Sequence, residues 1–218
     1  MKERESIKLG IFFDISTLQQ VKAKRITRET VIEAEVNLGE RNLKLKEGIN
    51  TNIPFLDHMI ETIAWRSCIN IGISIHSIGY KLFHTLAEDS GITLGNIFRE
   101  LLKNQNESGV EGSGVGFAVL DEALSMVNLS FEGRSNCFIT HQDINIPEFV
   151  ETTHSSNMIA FFEGFSQGAS ATIHLKFLSG RDPHHIWESG FRAFGEALRK
   201  SLKKNPWRAG TTVGVKGI

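Results

Sequence analysis

The segment that organises the chain is Asp182-Pro183-His184-His185-Ile186-Trp187-Glu188-Ser189-Gly190-Phe191. Pro183 suits the first turn of a helix, where its missing N–H group would be unpaired in any case. The spacing of four residues between His184 and Glu188 then places both side chains on one rim of the predicted helix, with His185 beside them. Imidazole and carboxylate together suit a divalent cation such as Mn, Fe, Co or Zn. The alternative is a capped surface helix with two solvated histidines.

The pattern has a counterpart one hundred residues earlier, in His84-Thr85-Leu86-Ala87-Glu88. Each copy follows a helix-like and then a strand-like segment, at residues 55–65 and 69–78 in the first case and 157–165 and 171–178 in the second. Self-similarity of this kind indicates an internal duplication. When the two copies are aligned, Thr85 corresponds to His185 and Ala160 corresponds to His58.

Composition limits the class of protein. The chain has 218 residues, a net charge of −1 and a pI near 6.7, which argues against a broad electrostatic hold on nucleic acid. It has neither an apolar run long enough to span a membrane nor a recognisable secretory signal. Its two cysteines, Cys68 and Cys137, are compatible with a reducing compartment, so a cytoplasmic protein is predicted.

Alternation and turn residues predict how the chain is divided. Residues 7–15 are predicted as a strand, residues 22–38 as one long strand with an unusually polar face, and residues 43–47 as another strand. A segment rich in Gly, Ser and Asn at 104–116 predicts a boundary between halves. The predicted organisation is an N-terminal extension (1–20), a first half (21–108), a second half (109–204) and a tail (205–218).

Further motifs follow one another in a fixed order: Arg25-Ile26-Thr27-Arg28-Glu29-Thr30, Ile53-Pro54-Phe55-Leu56-Asp57-His58-Met59, Glu88-Asp89-Ser90-Gly91-Ile92, Leu120-Asp121-Glu122-Ala123-Leu124, Gly133-Arg134 and Lys216-Gly217. Together with the histidine segments they resemble the imidazoleglycerol-phosphate dehydratases of histidine biosynthesis, from about Arg25 to Gly217. The resemblance implies an α+β fold of two similar halves, each a four-stranded sheet backed by two helices. It also implies a homo-oligomer, an octahedral shell with active sites between subunits.

The same resemblance implies an activity, the Mn-dependent dehydration of imidazole glycerol phosphate to imidazole acetol phosphate. A metal-stabilised imidazolate can expel hydroxide, which is a poor leaving group. Glu29 matches the carboxylate that would transfer protons. Arg134 and Lys216 match residues that would bind the phosphate of the small-molecule substrate.

The resemblance assigns one metal position to His58, His84, Glu88 and His185. The other position would need histidines at 85 and 160 beside His184 and Glu188, and this chain has Thr85 and Ala160 there. Two protein ligands rarely hold a divalent ion tightly. One well-formed Mn site is therefore expected, with a second that is weak or absent.

Three functional hypotheses follow. The chain is a working dehydratase, a non-catalytic descendant that keeps the shell and one metal site and binds a related imidazole or phosphate ligand, or a purely structural shell component. The complete four-residue metal position argues against the third, since unfilled His and Glu clusters bring no obvious structural benefit. The two missing histidines leave the choice between enzyme and non-catalytic descendant open.

Overall fold

The computed structural model describes residues 8–141 and 143–215. Its four α-helices are α1 (Pro54–Ser67), α2 (Phe83–Asn104), α3 (Ser155–Ala169) and α4 (Pro183–Ser201). The strands are β1 (Gly10–Ser16), β2 (Gln20–Ile26), β3 (Thr30–Asn37), β4 (Ile49–Asn50), β5 (Asn70–Ser77), β6 (Ser113–Leu120), β7 (Ala123–Ser130), β8 (Asn136–Thr140), β9 (Phe149–Val150), β10 (Thr153–His154) and β11 (Thr172–Ser179). The four predicted helix-like and strand-like segments of the repeat correspond to α1, β5, α3 and β11.

The two main sheets repeat one topology. Strands β2-β3-β5-β4 in the first half have the same order as β6-β7-β11-β8 in the second. In each set the first three strands are antiparallel neighbours, and the last, β4 or β8, runs parallel to the third. The predicted α+β fold with two similar halves is thereby confirmed.

The first sheet has one strand more than predicted. β1 lies within the predicted N-terminal extension and pairs antiparallel with β2, with Gly10 opposite Ile26. This pairing makes the first sheet five-stranded, whereas the second has four strands.

The prediction of a single strand over residues 22–38 was wrong. β2 and β3 are separate antiparallel strands, because the hydroxyl of Thr27 accepts hydrogen bonds from the N–H groups of Glu29 (3.1 Å) and Thr30 (2.8 Å) and so closes a tight turn. The polar residues of that turn continue the alternation of the strands and conceal it. The strand predicted at 43–47 was also wrong: a 3₁₀ turn, Leu45–Gly48, leads directly into the short β4.

The helices of the two halves pack against each other as two parallel pairs, α2 with α3 and α1 with α4. Glycines bring α2 and α3 close together: a Cβ at Gly91 would lie 2.1 Å from the carbonyl oxygen of Phe161, and one at Gly95 would lie 2.4 Å from that of Phe165. In the other pair, a Cβ at Gly195 of α4 would lie 2.9 Å from the carbonyl oxygen of Ile63 in α1. The same register thus relates both pairs.

The core lies between these helices and the sheets. α2 packs on β2 and β3, and α4 packs on β6 and β7. The apolar face of α4 is fully buried, through Ile186, Phe191, Phe194 and Leu198. Among the described residues, no helix combines the length and apolar character that crossing a membrane requires.

Candidate metal centre and active site

The N-terminus of α4 positions the histidine pair. Asp182 caps the helix, and its carboxylate accepts hydrogen bonds from the backbone N–H groups of His184 (2.8 Å) and His185 (3.4 Å). With Pro183 at the first helical position, both histidines lie in the first turn, as predicted from the sequence.

One group of potential metal ligands forms where α1 meets α4. The ligand atoms of His58, His184 and Glu188 all lie within 4.8 Å of one another. Oε2 of Glu188 is 3.2 Å from Nε2 of His58 and 3.0 Å from Nε2 of His184. We call these three residues the α1–α4 cluster. Two imidazole nitrogens and one carboxylate oxygen fit a borderline divalent ion such as Mn²⁺ or Zn²⁺.

Glu188 is the buried member of the cluster, with 8% of its side chain exposed. Its other oxygen, Oε1, accepts hydrogen bonds from Nε (2.9 Å) and Nη2 (2.6 Å) of Arg192, one helical turn further on. Burial acts to raise the pKa of Glu188, but the hydrogen bond and charge of Arg192, with His58 and His184, outweigh it and lower that pKa. The carboxylate is therefore charged and has one oxygen directed at the histidines.

Each histidine of the pair also contacts a carboxylate outside the cluster, and the two carboxylates are different. Nδ1 of His185 lies 2.8 Å from Oε2 of Glu122 in the β6–β7 turn, and Nδ1 of His184 lies 2.8 Å from Oε1 of Glu151 in the β9–β10 turn. The hydrogen bond to Glu122 raises the pKa of His185. Glu122 belongs to a motif quoted above but had no predicted role, and neither Glu151 nor Arg192 gave a sequence signal.

The corresponding end of α2 and α3 is poorer in ligands. Gly95 packs against Phe165 in the α2–α3 pair, and Gly195 packs against Ile63 in the α1–α4 pair. Ala160 lies five residues before Phe165, and His58 lies five residues before Ile63. Ala160 therefore occupies the position equivalent to that of His58. Ala160 is buried and offers no ligand. His84 and Glu88 remain, with Nε2 and Oε2 3.9 Å apart and with 65% and 43% of their side chains exposed.

Within one chain, the residues predicted for the first metal position do not come together. Among residues 8–141 and 143–215, the α1–α4 cluster is the one group of three or more ligands, and it joins His58 to His184 and Glu188 rather than to His84 and Glu88. Each of the two predicted metal positions contains residues from both helix pairs. The assignment of the ligands to these two positions stays a prediction. His185 lies next to the cluster, with its ring centroid 6.2 Å from that of His184.

The predicted catalytic and phosphate-binding residues lie elsewhere on the chain. Glu29, in the β2–β3 turn, lines a cavity of about 260 Å³ together with Thr85, and its place in the turn corresponds to that of Glu122 in the second half. Arg134 lies in the β7–β8 loop, where its carbonyl oxygen accepts a hydrogen bond from Thr172 (3.1 Å). Lys216 lies outside the described residues.

Comparison with known proteins gives a consistent result. The family model described as imidazoleglycerol-phosphate dehydratase matches residues 51–198. The chain belongs to the imidazoleglycerol-phosphate dehydratase family. The relative from Methylococcus capsulatus is 33% identical over 89% of this chain and 95% of its own length. The relative from Neisseria gonorrhoeae is 36% identical over 91% of this chain, but the match spans only 63% of that longer protein.

Solved structures of imidazoleglycerol-phosphate dehydratases share the fold. The structure from Pyrococcus furiosus has a TM-score of 0.73 and 33% identity, covering 89% of this chain and 99% of its own. The structure from Staphylococcus aureus, at 24% identity and a TM-score of 0.67, supports the fold alone. The part matched by the family model contains the α1–α4 cluster, His84, Glu88, His185 and Arg134, whereas Glu29 and Lys216 lie beyond its ends.

Proposed function

We propose that this chain is a metal-dependent dehydratase of histidine biosynthesis that converts imidazole glycerol phosphate to imidazole acetol phosphate. The observation that carries the proposal is the α1–α4 cluster, in which two imidazole nitrogens and a buried, charged carboxylate converge. Membership of a family whose relatives bear the name of this activity supports the same conclusion.

The proposed metal is Mn²⁺. Within one chain His58, His184 and Glu188 converge. The well-formed site would be held by His58, His84, Glu88 and His185, contributed by more than one chain, and His184 and Glu188 would remain for the second ion. When bound, the ion would supply a Lewis acid for the imidazole ring of the substrate. Thr85 and Ala160 supply no imidazole nitrogen, so a second ion is expected to bind weakly or not at all.

The remaining predicted residues would act on the glycerol phosphate part of the substrate. The carboxylate of Glu29 would take the proton from carbon and deliver a proton to the departing hydroxyl group, so that the two products are the enol form of the ketone and water. Arg134 and Lys216 would hold the phosphate through charge-assisted hydrogen bonds.

We also propose that the active protein is a cytoplasmic homo-oligomer, with the octahedral shell as its expected form. Each predicted metal position combines residues from the α1–α4 pair with residues from the α2–α3 pair. Within one described chain these two sets do not form a common group of ligands. Contributions from two chains would bring them together.

The proposal is tested by measuring turnover of imidazole glycerol phosphate by the Mn-loaded protein, with bound metal measured in the same sample. Glu29→Gln is expected to retain the metal and lose turnover, and Glu107→Gln, a change at an exposed carboxylate in the loop after α2, is expected to retain both. A chain that binds Mn but shows no turnover would contradict the proposal and favour the non-catalytic descendant.

A further inference from the structure

Both histidines at the start of α4 have a carboxylate next to Nδ1, which the sequence does not reveal. Nδ1 of His184 faces Glu151 and Nδ1 of His185 faces Glu122, both at 2.8 Å. An ionised carboxylate only accepts hydrogen bonds, so each Nδ1 must carry the proton and donate it. A neutral imidazole in this tautomer has its lone pair on Nε2.

This tautomer has a consequence inside the α1–α4 cluster. In the neutral ring Nε2 of His184 is an acceptor 3.0 Å from another acceptor, Oε2 of Glu188, whereas a doubly protonated ring donates a hydrogen bond to that oxygen. The same oxygen lies 3.2 Å from Nε2 of His58. Lone pairs that converge at such distances repel one another unless a proton or a metal ion lies between them. The carboxylates at Nδ1 therefore favour a bound cation at Nε2.

Glu122 is held in place for this contact by two backbone groups. Its Oε1 accepts hydrogen bonds from the backbone N–H groups of Arg181 (3.0 Å) and Asp182 (2.9 Å), which leaves Oε2 directed at His185. Two backbone N–H donors at one oxygen favour the ionised form of this carboxylate. Glu151 occupies a left-handed backbone conformation (φ 49°) in its turn, as few residues other than glycine do.

The first half of the chain provides an internal comparison. Its β2–β3 turn carries Glu29 where the β6–β7 turn carries Glu122, but α2, the counterpart of α4, has Thr85 instead of a histidine. The carboxylate is present in both halves, and the histidine that it would orient is present only in the second. The contacts at Nδ1 therefore distinguish the start of α4 from that of α2.

We propose that Glu122 and Glu151 are positioning residues that fix His185 and His184 in the tautomer whose Nε2 binds a divalent first-row metal ion. Outer carboxylates that orient metal-binding histidines also raise the basicity of those ligands. The inference rests on the metal of the proposed function but not on its reaction, so a chain that binds Mn without turnover can still satisfy it.

The test is the affinity for Mn²⁺ alone, measured by calorimetry on the intact chain. Glu122→Gln and Glu151→Gln are each expected to weaken binding by about 10- to 100-fold, because an amide cannot supply the charge. Glu148→Gln is the matched control, since Glu148 also faces a histidine, His154, at 3.7 Å but outside the cluster. Mn affinities of both variants equal to that of the control would overturn the proposal.

A crystal structure of the Mn-loaded protein provides the second measurement, which does not depend on the folding of any variant. The metal is expected on Nε2 of the histidines, with both contacts from Nδ1 to carboxylate kept near 2.8 Å. A metal bound to Nδ1 of either His184 or His185 would overturn the proposal, whatever the calorimetry shows.

Discussion

Replacement of Arg192 by methionine tests whether the buried negative charge of Glu188 needs a neighbouring positive charge. The guanidinium of Arg192 donates two hydrogen bonds to Oε1 of Glu188, and the two side chains are 23% and 8% exposed. Methionine, like arginine, has an unbranched apolar stem, but it lacks the positive charge. In the metal-free protein Glu188 would then be a buried carboxylate without its principal partner.

The expected loss follows from that burial. Removing one partner of a buried ion pair costs about 3–5 kcal/mol, and the partial exposure of Arg192 places this pair at the lower end, about 3 kcal/mol. For a chain of this length such a loss lowers Tm by about 6–12 °C. The effect depends on pH in a defined direction. Because the pKa of folded Glu188 lies below its ordinary value of 4.5, the stabilisation is present above that value and disappears as pH falls through the lowered pKa.

The assay is denaturant and thermal unfolding of the chelator-treated protein at pH 7, repeated with added Mn²⁺. Arg199→Met is the control on the same helix: Arg199 pairs with Glu196, is 49% exposed, and is expected to contribute less than about 1 kcal/mol. Bound Mn²⁺ should reduce the loss caused by Arg192→Met, since the ion supplies the missing charge. An equal loss in both variants would refute the argument that Glu188 requires a cation.

Three further experiments have defined outcomes. Gly91→Ala should lower the free energy of unfolding by about 2 kcal/mol or more, because overpacking against the carbonyl oxygen of Phe161 exceeds the gain in helix propensity. Cys137 should react slowly with iodoacetamide at pH 8, and about tenfold faster for each pH unit added, because burial and then Glu163 raise its pKa to about 12. Thr85→His combined with Ala160→His should increase the Mn bound per chain, as measured by elemental analysis.

The first two of these have an internal control. Gly48→Ala is expected to be nearly neutral, since no atom lies within 4 Å of the added Cβ. Cys68 is exposed and should be labelled first. Metal content that stays unchanged in the double histidine variant would contradict the assignment of positions 85 and 160 as ligand sites. Wild-type stability in Gly91→Ala would mean that α2 and α3 can separate at little cost.

Local chemistry explains which parts of the fold could be predicted. The helix α4 begins at Pro183 because proline and the Asp182 cap act within three residues of each other, and its buried face follows from apolar spacing alone. The duplication was visible because His84 and Glu88 repeat the spacing of His184 and Glu188. The break between β2 and β3 was not, because it depends on a hydroxyl of Thr27 that satisfies two backbone groups.

The composition of the cluster could not be predicted, because tertiary packing determines it. His58 meets Glu188 across 130 residues of sequence, and His185 meets Glu122 across 63, and no local pattern encodes either pairing. The resemblance assigned His58 to a metal position with His84, Glu88 and His185. Within one chain, the contact of α1 with α4 instead brings His58 close to His184 and Glu188. Glu151 could not be identified at all, since only the short β9–β10 turn brings it to His184.

The internal symmetry shows that the two helix pairs differ by more than two histidines. Position 92, which corresponds to Arg192, is an isoleucine, so Glu88 lacks the arginine that compensates Glu188. Glu88 is also 43% exposed, where Glu188 is 8% exposed. A carboxylate that water solvates needs no cation, whereas a buried one does. The α1–α4 pair thus combines histidines, buried charge and outer carboxylates in one place, whereas the α2–α3 pair supplies only His84 and the more exposed Glu88.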